Sequence, residues 1–514
     1  MGMGEGDLAG QDFLAAIDQG TTGTRCILFD LRGRVAGSAY REHRQIFPQP
    51  GWVEHDPLEI WNRTQEVVAE AVRAAPAGRI LGVGITNQRE TTVAWDGRTG
   101  RPLYNAIVWQ DTRTEPDCRA LIEAGWQDDV RARTGLPIST YFSATKIRWL
   151  LENVPEVREL ASAGHLRLGT IDTWVIWNLT GGPAGGAHVT DATNASRTLL
   201  CNLAALEWDP VLIERFGIPP AALPAIHPSA ATEPYGHIGA AGPFGSAAPI
   251  CADLGDQQAA LVGQACFEPG DAKNTYGTGS FLLQNVGARP ARSAHGLLGT
   301  AAYILAGERA YALEGSVAAT GAAVQWLRDN LGLISNAAET ETIARQVPDA
   351  GGVYFVPAFS GLFAPYWDMR ARGVIVGLTR YVTKAHLIRA TLEAICFQGR
   401  EVLDAMVADS GHAVTVLKVD GGASANDFLM QLQADILGTS VVRPAVRETT
   451  ALGAAYAAGL ASGAFGSIDH LRRLWRADRT FEPTWTADER ETALAGWKRA
   501  VGRARGWLEA EGPA

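Results

Sequence analysis

Two distant segments of this chain carry the same pattern, and that repetition constrains the fold more than any other feature. Near the start, Ala16-Ile17-Asp18-Gln19-Gly20-Thr21-Thr22-Gly23-Thr24-Arg25 leads into Cys26-Ile27-Leu28-Phe29-Asp30. Far downstream, Asn274-Thr275-Tyr276-Gly277-Thr278-Gly279-Ser280 leads into Phe281-Leu282-Leu283. Each is a Gly/Thr turn followed by a strand-like apolar run. Glycine lets the backbone approach a ligand closely because it has no Cβ. Threonine hydroxyls and exposed turn N–H groups suit phosphate oxygens. An acidic residue at a strand end, here Asp18, suits a hydrated Mg²⁺. An ordinary hairpin explains either turn alone. Two of them, one in each half, point to a nucleotide held in a cleft between two α/β halves.

The first turn is not a familiar phosphate loop. The segment has no Gly-x-x-x-x-Gly-Lys-Ser/Thr, and Gly20 and Gly23 do not make Gly-x-Gly-x-x-Gly. Those loops open helices. Here a β-type run, Arg25–Phe29, follows, then a turn at Leu31–Arg34 and a further strand candidate, Val35–Tyr40. The pattern therefore points away from the P-loop and Rossmann folds.

A chain of 514 residues has room for two or more domains. With 45 Lys+Arg and 55 Asp+Glu it carries a net charge of −10 and has no long basic block, which argues against nucleic-acid binding. Six scattered cysteines without a C-x-x-C pair read as buried free thiols of a reducing, cytoplasmic setting. Residues 1–10 are polar and Gly-rich and read as a flexible N-terminus rather than a signal peptide. The most apolar stretch, Ala451–Phe465, is broken by glycines and too short to span a bilayer, so it reads as a closely packed core helix.

In the first half, strand-like runs (Leu14–Asp18, Cys26–Asp30, Ile80–Thr86) alternate with helical ones (Pro57–Ala74, Thr145–Glu152, Asp172–Leu179). Ala221–Pro249 reads as a long irregular segment before a second half that starts near Gly263. In that half Val416–Asp420 reads as a strand and Gly421–Ala425 as a small-residue turn. A helix capped by Asn426 or Asp427 follows, with Phe428, Leu429, Leu432, Ile436 and Leu437 on one face.

A second candidate site is Asn87-Gln88-Arg89-Glu90-Thr91 after the Ile80–Thr86 strand. Within a strand, Arg89 and Glu90 would point to opposite faces. Past its end, in the crevice where α/β sheets bind ligands, both can grip one small polyol. A surface ion pair is the plainer explanation of the same two residues. Trp109 stands out among 15 tryptophans only through its neighbours, Ile107–Arg113. Asp256, after Gly255 and before an Ala-rich run, is either a helix cap or a base facing a substrate hydroxyl.

Taken together, Asp18–Thr22, Asn87–Thr92, Trp109–Arg113, Tyr141–Asn153 with Lys146 and Trp149, Gly255–Ala260, Asn274–Gly279 and Asp420–Asn426 carry a resemblance over about Phe13 to Arg499. The chain resembles the FGGY carbohydrate kinases, sugar and polyol kinases with the actin-like ATPase fold. Asn-Gln-Arg-Glu-Thr resembles the glycerol-phosphorylating members rather than the xylulose or gluconate ones. The resemblance implies two actin-like (ribonuclease H-like) α/β domains, 11–262 and 263–510, flanking a cleft. The first would carry the phosphate hairpin and the glycerol site, the second the nucleotide site. It implies ATP-dependent phosphorylation of glycerol to sn-glycerol 3-phosphate, the first step of glycerol catabolism, by a cytoplasmic homo-oligomer, dimer or tetramer.

The resemblance also assigns roles by position. Thr21, Thr22, Gly23 and Arg25 would contact phosphates. Thr278, Gly321, Gln325, Gly422 and Asn426 would hold ADP or ATP. Arg89, Glu90, Tyr141, Asp256 and Gln257 would bind glycerol hydroxyls, with Trp109 and Phe281 as the apolar wall. Asp256 would be the general base, and Asp18 would help hold Mg²⁺ through water. Two departures follow from this sequence. Gly23 stands where many relatives carry a serine, so one hydroxyl is missing. Gly239–Ala248 contains no arginine, so inhibition by fructose 1,6-bisphosphate, which some bacterial members bind near there, is not expected. His237 does not match the phosphorylated histidine of other members. Two other functions fit the same motifs: a kinase for another short polyol or triose such as dihydroxyacetone, and a non-catalytic actin-like nucleotide sensor.

Overall fold

A computed structural model describes residues 11–508. The expected flexible segment 1–10 and residues 509–510 of the expected second domain lie outside the described residues. Two sheets organise the rest. The first contains β1 (Gln11–Gln19), β2 (Gly23–Asp30), β3 (Val35–Glu42), β4 (Gly78–Asn87), β5 (Gly236–Ile238) and β6 (Ala248–Gly255), in the order β5-β6-β4-β1-β2-β3. The second contains β7 (Ala272–Tyr276), β8 (Ser280–Gly287), β9 (Leu298–Leu305), β10 (Glu308–Val317), β11 (Val416–Asp420), β12 (Ser440–Pro444) and β13 (Ala477–Phe481), in the order β9-β10-β8-β7-β11-β12-β13.

The two sheets share one plan. An antiparallel hairpin and a third antiparallel strand (β1-β2-β3; β7-β8-β10) are joined, on the other side of the first strand, by two parallel strands (β4, β6; β11, β12). The central strands are apolar almost throughout, as strands covered on both faces must be. Residues Phe13–Ile17 of β1 are all buried. This is the doubled α/β, actin-like architecture that the motifs imply.

Helices fall where local chemistry starts and stops them. The helix α1 (Pro57–Ala74) begins with the Asp56 carboxylate accepting from Leu58 N and Pro57 in its first turn. It buries Ile60, Thr64, Val67, Val68 and Ala71 on one face. Further helices are α2 (Ser143–Asn153), α3 (Asp256–Gly263), α4 (Gly321–Asp329), α5 (Asp427–Leu437) and α6 (Thr449–Ala461). Of the two cap candidates for α5 it is Asn426 whose side chain accepts, from Leu429 N.

The apolar stretch near 451 is the buried α6, which packs on the first sheet and on α3. Its closeness is set by glycine. A Cβ on Gly453 would lie 1.8 Å from Ala259 O, and one on Gly84 of β4 would lie 2.2 Å from Ala454 O. One apolar cluster therefore runs from Leu14, Ala16 and Leu254 through Ala259 and Ala451–Ala458 to Leu283 and Tyr303, joining the two sheets. The six cysteines are all buried and free.

The segment 221–249 is less irregular than expected. It contains a short 3₁₀ turn (Pro220–Ala222), a three-residue strand (Ala225–His227) and β5, and Ala248 already opens β6. Strands of three residues are too short to show a two-residue alternation in sequence. A separate four-stranded sheet of Glu54–His55, Ala106–Ile107, Thr92–Asp96 and Leu166–Thr170 lies beyond the end of β4 and carries the chain from Glu90 towards Trp109.

Candidate active site

Parallel register brings three strand ends to one edge. Gln19 of β1 and Gly255 of β6 both pair with Asn87, the last residue of β4. Asp18, the Arg89–Glu90 corner and Asp256 therefore emerge together at the carboxyl ends of the strands, where α/β sheets bind ligands. The second sheet repeats this. Thr275 of β7 pairs with Asp420 of β11, so the turns Gly277–Gly279 and Gly421–Asn426 leave the same edge.

The first hairpin turn is closed by Gly20 N donating to Gly23 O at 2.9 Å, the second by Gly277 N to Gly279 O at 2.8 Å. Thr21 Oγ1 accepts from Trp109 Nε1 at 2.9 Å and keeps its own proton to donate. The Thr22 hydroxyl lies 3.4 Å from Tyr40 OH. A Cβ on Gly23 would fall 2.5 Å from Arg41 O and 2.7 Å from the Tyr40 ring, so the missing hydroxyl there answers to close packing with β3. The side chain of Arg25 has a partner from far along the chain. It pairs with Glu448, just before α6, and lies over Tyr40. That partner comes from the other half of the chain and could not be read locally.

Around the second turn, Thr278 O accepts from Ala322 N at 3.0 Å and Gly321 N donates to Gly277 O at 3.0 Å, so α4 starts on the hairpin. A Cβ on Gly321 would approach Gly277 O to 2.6 Å. Gln325 is exposed one turn further along the same helix. Gly421, with φ 84°, lies against Tyr276, and nothing stands within 4 Å of a Cβ built on Gly422. Thr278, Gly321, Gln325 and Gly422 thus surround one open corner. Asn426 is more committed: its Oδ1 caps α5 and its Nδ2 donates to Thr340 Oγ1 at 3.1 Å, leaving one amide N–H.

Arg89 and Glu90 are not a surface pair: they are 3% and 1% exposed. Glu90 adopts φ 62°, which turns the chain sharply past the strand, and Ser143 Oγ of α2 donates to its carbonyl at 2.9 Å. Arg89 Nε lies 3.1 Å from Asp256 Oδ1, its Nη1 2.5 Å from Glu314 Oε2, and its Nη2 3.1 Å from Glu314 Oε1. Arg197 binds the same Glu314 oxygen at 2.9 Å and Glu90 Oε1 at 2.7 Å. A buried chain of charges, Asp256–Arg89–Glu314–Arg197–Glu90, results. Trp109 stands 5.4 Å from Tyr141 and 6.4 Å from Phe281, ring centre to ring centre and edge to face, and Arg197 lies over Tyr141. The side chain of Asp256 is 29% exposed where that of Arg89 is 2%, so the carboxylate is the member of the pair that meets the cleft.

Electrostatics tune the two carboxylates. Burial raises the pKa of Asp256, against the pull of Arg89 and Lys273. Burial pushes Asp18 up to about 7, although Arg25 favours its charged form. Asp18 is the residue that would hold a hydrated Mg²⁺. It is a single carboxylate at a strand end, no described side chain forms a hydrogen bond to it, and Mg²⁺ keeps several waters and needs one or two carboxylates. No cluster of three or more His, Cys, Asp or Glu among the described residues offers an all-protein cage instead.

Asp256 is the first residue of α3 rather than its cap; Gly255 holds the cap position. Gln257 Oε1 accepts from Lys273 Nζ, and this fully buried lysine also donates to Thr275 Oγ1 at 2.8 Å and Phe281 O at 3.3 Å. Burial lowers Lys273 to about 8. Lys273, Arg197 and Glu314 escaped the sequence reasoning. Nothing local marks them as partners: Glu314 shares its strand with Glu308 and Arg309, and Lys273 follows Asp271 by two residues. A surface hollow of about 610 Å³ between Pro348–Tyr354 and Trp485–Ala493 contains none of these residues.

Two Gly/Thr hairpins, one at the strand ends of each sheet, and a carboxylate of raised pKa beside a buried charge chain fit a two-domain kinase fold. Residues 13–263 match the N-terminal domain of the FGGY family of carbohydrate kinases and residues 272–462 its C-terminal domain, and the chain belongs to that family. It is 58% identical over 510 residues to a glycerol kinase of Mycobacterium tuberculosis, covering 99% of each chain. It is 57% identical over 501 residues to glycerol kinase 1 of Streptomyces coelicolor, covering 97% of this chain and 99% of that one. The crystal structure of Plasmodium falciparum glycerol kinase with ADP superposes with a TM-score of 0.91 at 38% identity, covering 97% of this chain and 99% of that one.

Proposed function

We infer that this chain catalyses ATP-dependent phosphorylation of glycerol, giving sn-glycerol 3-phosphate. One observation carries the reading from the structure. Arg89 touches Asp256, Trp109 packs on Tyr141 and Phe281, and Arg197 links Glu90 to Tyr141, so these side chains cluster at the strand ends. Their charges are already paired with one another, which suits a small neutral polyol. Whole-length likeness to glycerol kinases fixes glycerol as the polyol.

Each role then follows from chemistry. Phosphoryl transfer needs positioning and charge stabilisation more than covalent catalysis. Thr21, Thr22, Gly23 and Arg25 take the phosphates from the first half. Thr278, Gly321, Gln325, Gly422 and the remaining amide N–H of Asn426 hold the nucleotide in the second. Arg89, Glu90, Tyr141 and Gln257 orient the hydroxyls, and Trp109 and Phe281 pack on the carbon chain. Asp256, with its raised pKa, accepts the proton of the attacking hydroxyl. Asp18 would hold Mg²⁺ through water, which supplies neutralising charge to the phosphates.

We take the domains as 11–262 and 263–510, the setting as the cytoplasm, consistent with six buried free thiols, and the assembly as a dimer or tetramer. Among the described residues no helix is long and apolar enough to cross a membrane. The test is a panel of glycerol, dihydroxyacetone, xylulose and gluconate with Mg-ATP and ADP readout. Glycerol gives the highest kcat/KM. A better turnover of another polyol or triose replaces the substrate, and substrate-independent ATP binding without ADP release replaces the enzyme with a sensor.

A further inference from the structure

Glu314 comes from β10 of the second sheet, yet its carboxylate lies in the polyol pocket of the first half. It is fully buried and takes both Nη groups of Arg89 and Nη2 of Arg197. Arg197 in turn is the residue that holds Glu90. Burial disfavours the charge on Glu314, but Arg197 and Arg89 together hold its pKa below the usual carboxylate value. The two guanidiniums need it as much. They face one carboxylate from two sides, and without it like charges would meet in a dry interior.

We propose that Glu314 and Arg197 are positioning residues of the polyol site, Glu314 setting how Arg89 meets the base and Arg197 setting the orientation of Glu90. The geometry explains both effects. Arg89 can present its Nε–Nη edge to only one carboxylate in bidentate fashion. Glu314 takes the end-on Nη1–Nη2 pair and holds the guanidinium there, so Asp256 meets the side-on edge, with its contact to Nε at 3.1 Å. Asp256 is thereby oriented but left able to take a proton. With Glu314 neutralised, Arg89 turns towards Asp256 and ties up the base. Glu90 has a different need. Its φ of 62° already fixes the backbone, and the Arg197 Nε contact at 2.7 Å fixes the carboxylate. Arg197 itself is pinned by Glu314 and by the faces of Tyr141 and Phe142, while its Nη1 is buried without a hydrogen-bond partner. The second half of the chain therefore reaches past the nucleotide and organises the polyol end too.

This proposal rests on the glycerol-phosphorylating reading, and steady-state kinetics of the full chain with glycerol and Mg-ATP test both. Glu314→Gln raises the glycerol KM and lowers kcat, each by about tenfold or more, with the ATP KM within about twofold. Arg197→Met raises the glycerol KM by about tenfold with kcat within about threefold. The double variant is less than multiplicative, because the two residues act through one network. Glu314→Asp keeps the charge and recovers part of the loss. If Glu314→Gln does not fold, Glu314→Asp and Arg197→Lys carry the test through the same split between glycerol KM and kcat. An unchanged glycerol KM in folded variants of an active parent overturns the positioning roles alone, as does an equal rise in glycerol and ATP KM. A parent that releases no ADP with glycerol overturns the functional reading and this proposal with it.

Discussion

The two ends of the cleft are built in opposite ways. The phosphate end is made of turns: Gly20–Gly23 and Gly277–Gly279 expose backbone N–H groups and hydroxyls, and each turn closes on itself. The end proposed for the polyol is made of side chains that meet only in three dimensions: Asp256 from the first turn of α3, Arg89 and Glu90 from the corner after β4, Glu314 from within β10 and Arg197 from the turn after Ala192–Ala195. One end faces water and must release a highly charged product. The other is largely buried and, in the proposed reaction, would orient a neutral molecule that offers nothing but hydroxyls. The difference teaches where each kind of damage should appear. Changes in the turns act on packing and phosphate contacts, whereas changes in the charge chain act on glycerol and on the base.

The largest effect belongs to the base. Asp256→Asn lowers kcat by roughly 10²–10⁴-fold with ATP affinity largely intact, read by ADP release at saturating substrates. Near-normal turnover would take Asp256 out of the role. Glu90→Ala breaks a buried pair and leaves Arg197 half-satisfied. It costs about 3–5 kcal/mol in urea unfolding and weakens glycerol more than ATP. A variant as stable as the parent would show that the buried chain contributes little.

On the hairpin side, Gly23→Ser forces a Cβ against Arg41 O and the Tyr40 ring. The expected loss is about 1–3 kcal/mol with no gain in ATP affinity, by thermal unfolding and nucleotide titration. A stable variant with tighter ATP binding would mean that the hydroxyl matters more than the space. Trp109→Phe removes the hydrogen bond that ties the Trp109 ring to the hairpin and costs about 1 kcal/mol, a several-fold change in kcat/KM. A larger loss would join the two ends more tightly than the comparison allows. The pH profile separates them as well. Asp256 must be ionised to accept a proton, and burial holds its pKa above the usual range. Activity is therefore lost as pH falls through that raised value, with the acid limb of kcat above the ordinary carboxylate range. A limb at or below the ordinary carboxylate value would contradict the dry site.

How far the sequence reaches follows the same division. The hairpins, α1 with its Asp56–Pro57 start, β11 and the Asn426 cap were all legible, because each depends on residues close together in the chain. So was the resemblance carried by Asp18, Arg89, Glu90 and Asp256. The pairing of Arg25 with Glu448 and of Arg89 with Glu314 was not, since these partners lie hundreds of positions apart and no local pattern encodes them. Lys273 was hidden for another reason: a lysine in a strand reads as a solvated edge, and only the fold shows it under Gln257 and Phe281. The three-residue strands within 221–249 were lost because pairing, not composition, makes them strands.

The most direct test of the account is the fate of the phosphoryl group. Purified protein is incubated with Mg-ATP and glycerol, and products are counted by phosphorus NMR and enzymatic assay of ADP. The account predicts one sn-glycerol 3-phosphate per ADP, with little inorganic phosphate. ADP accompanied by inorganic phosphate and no phosphate ester would contradict it.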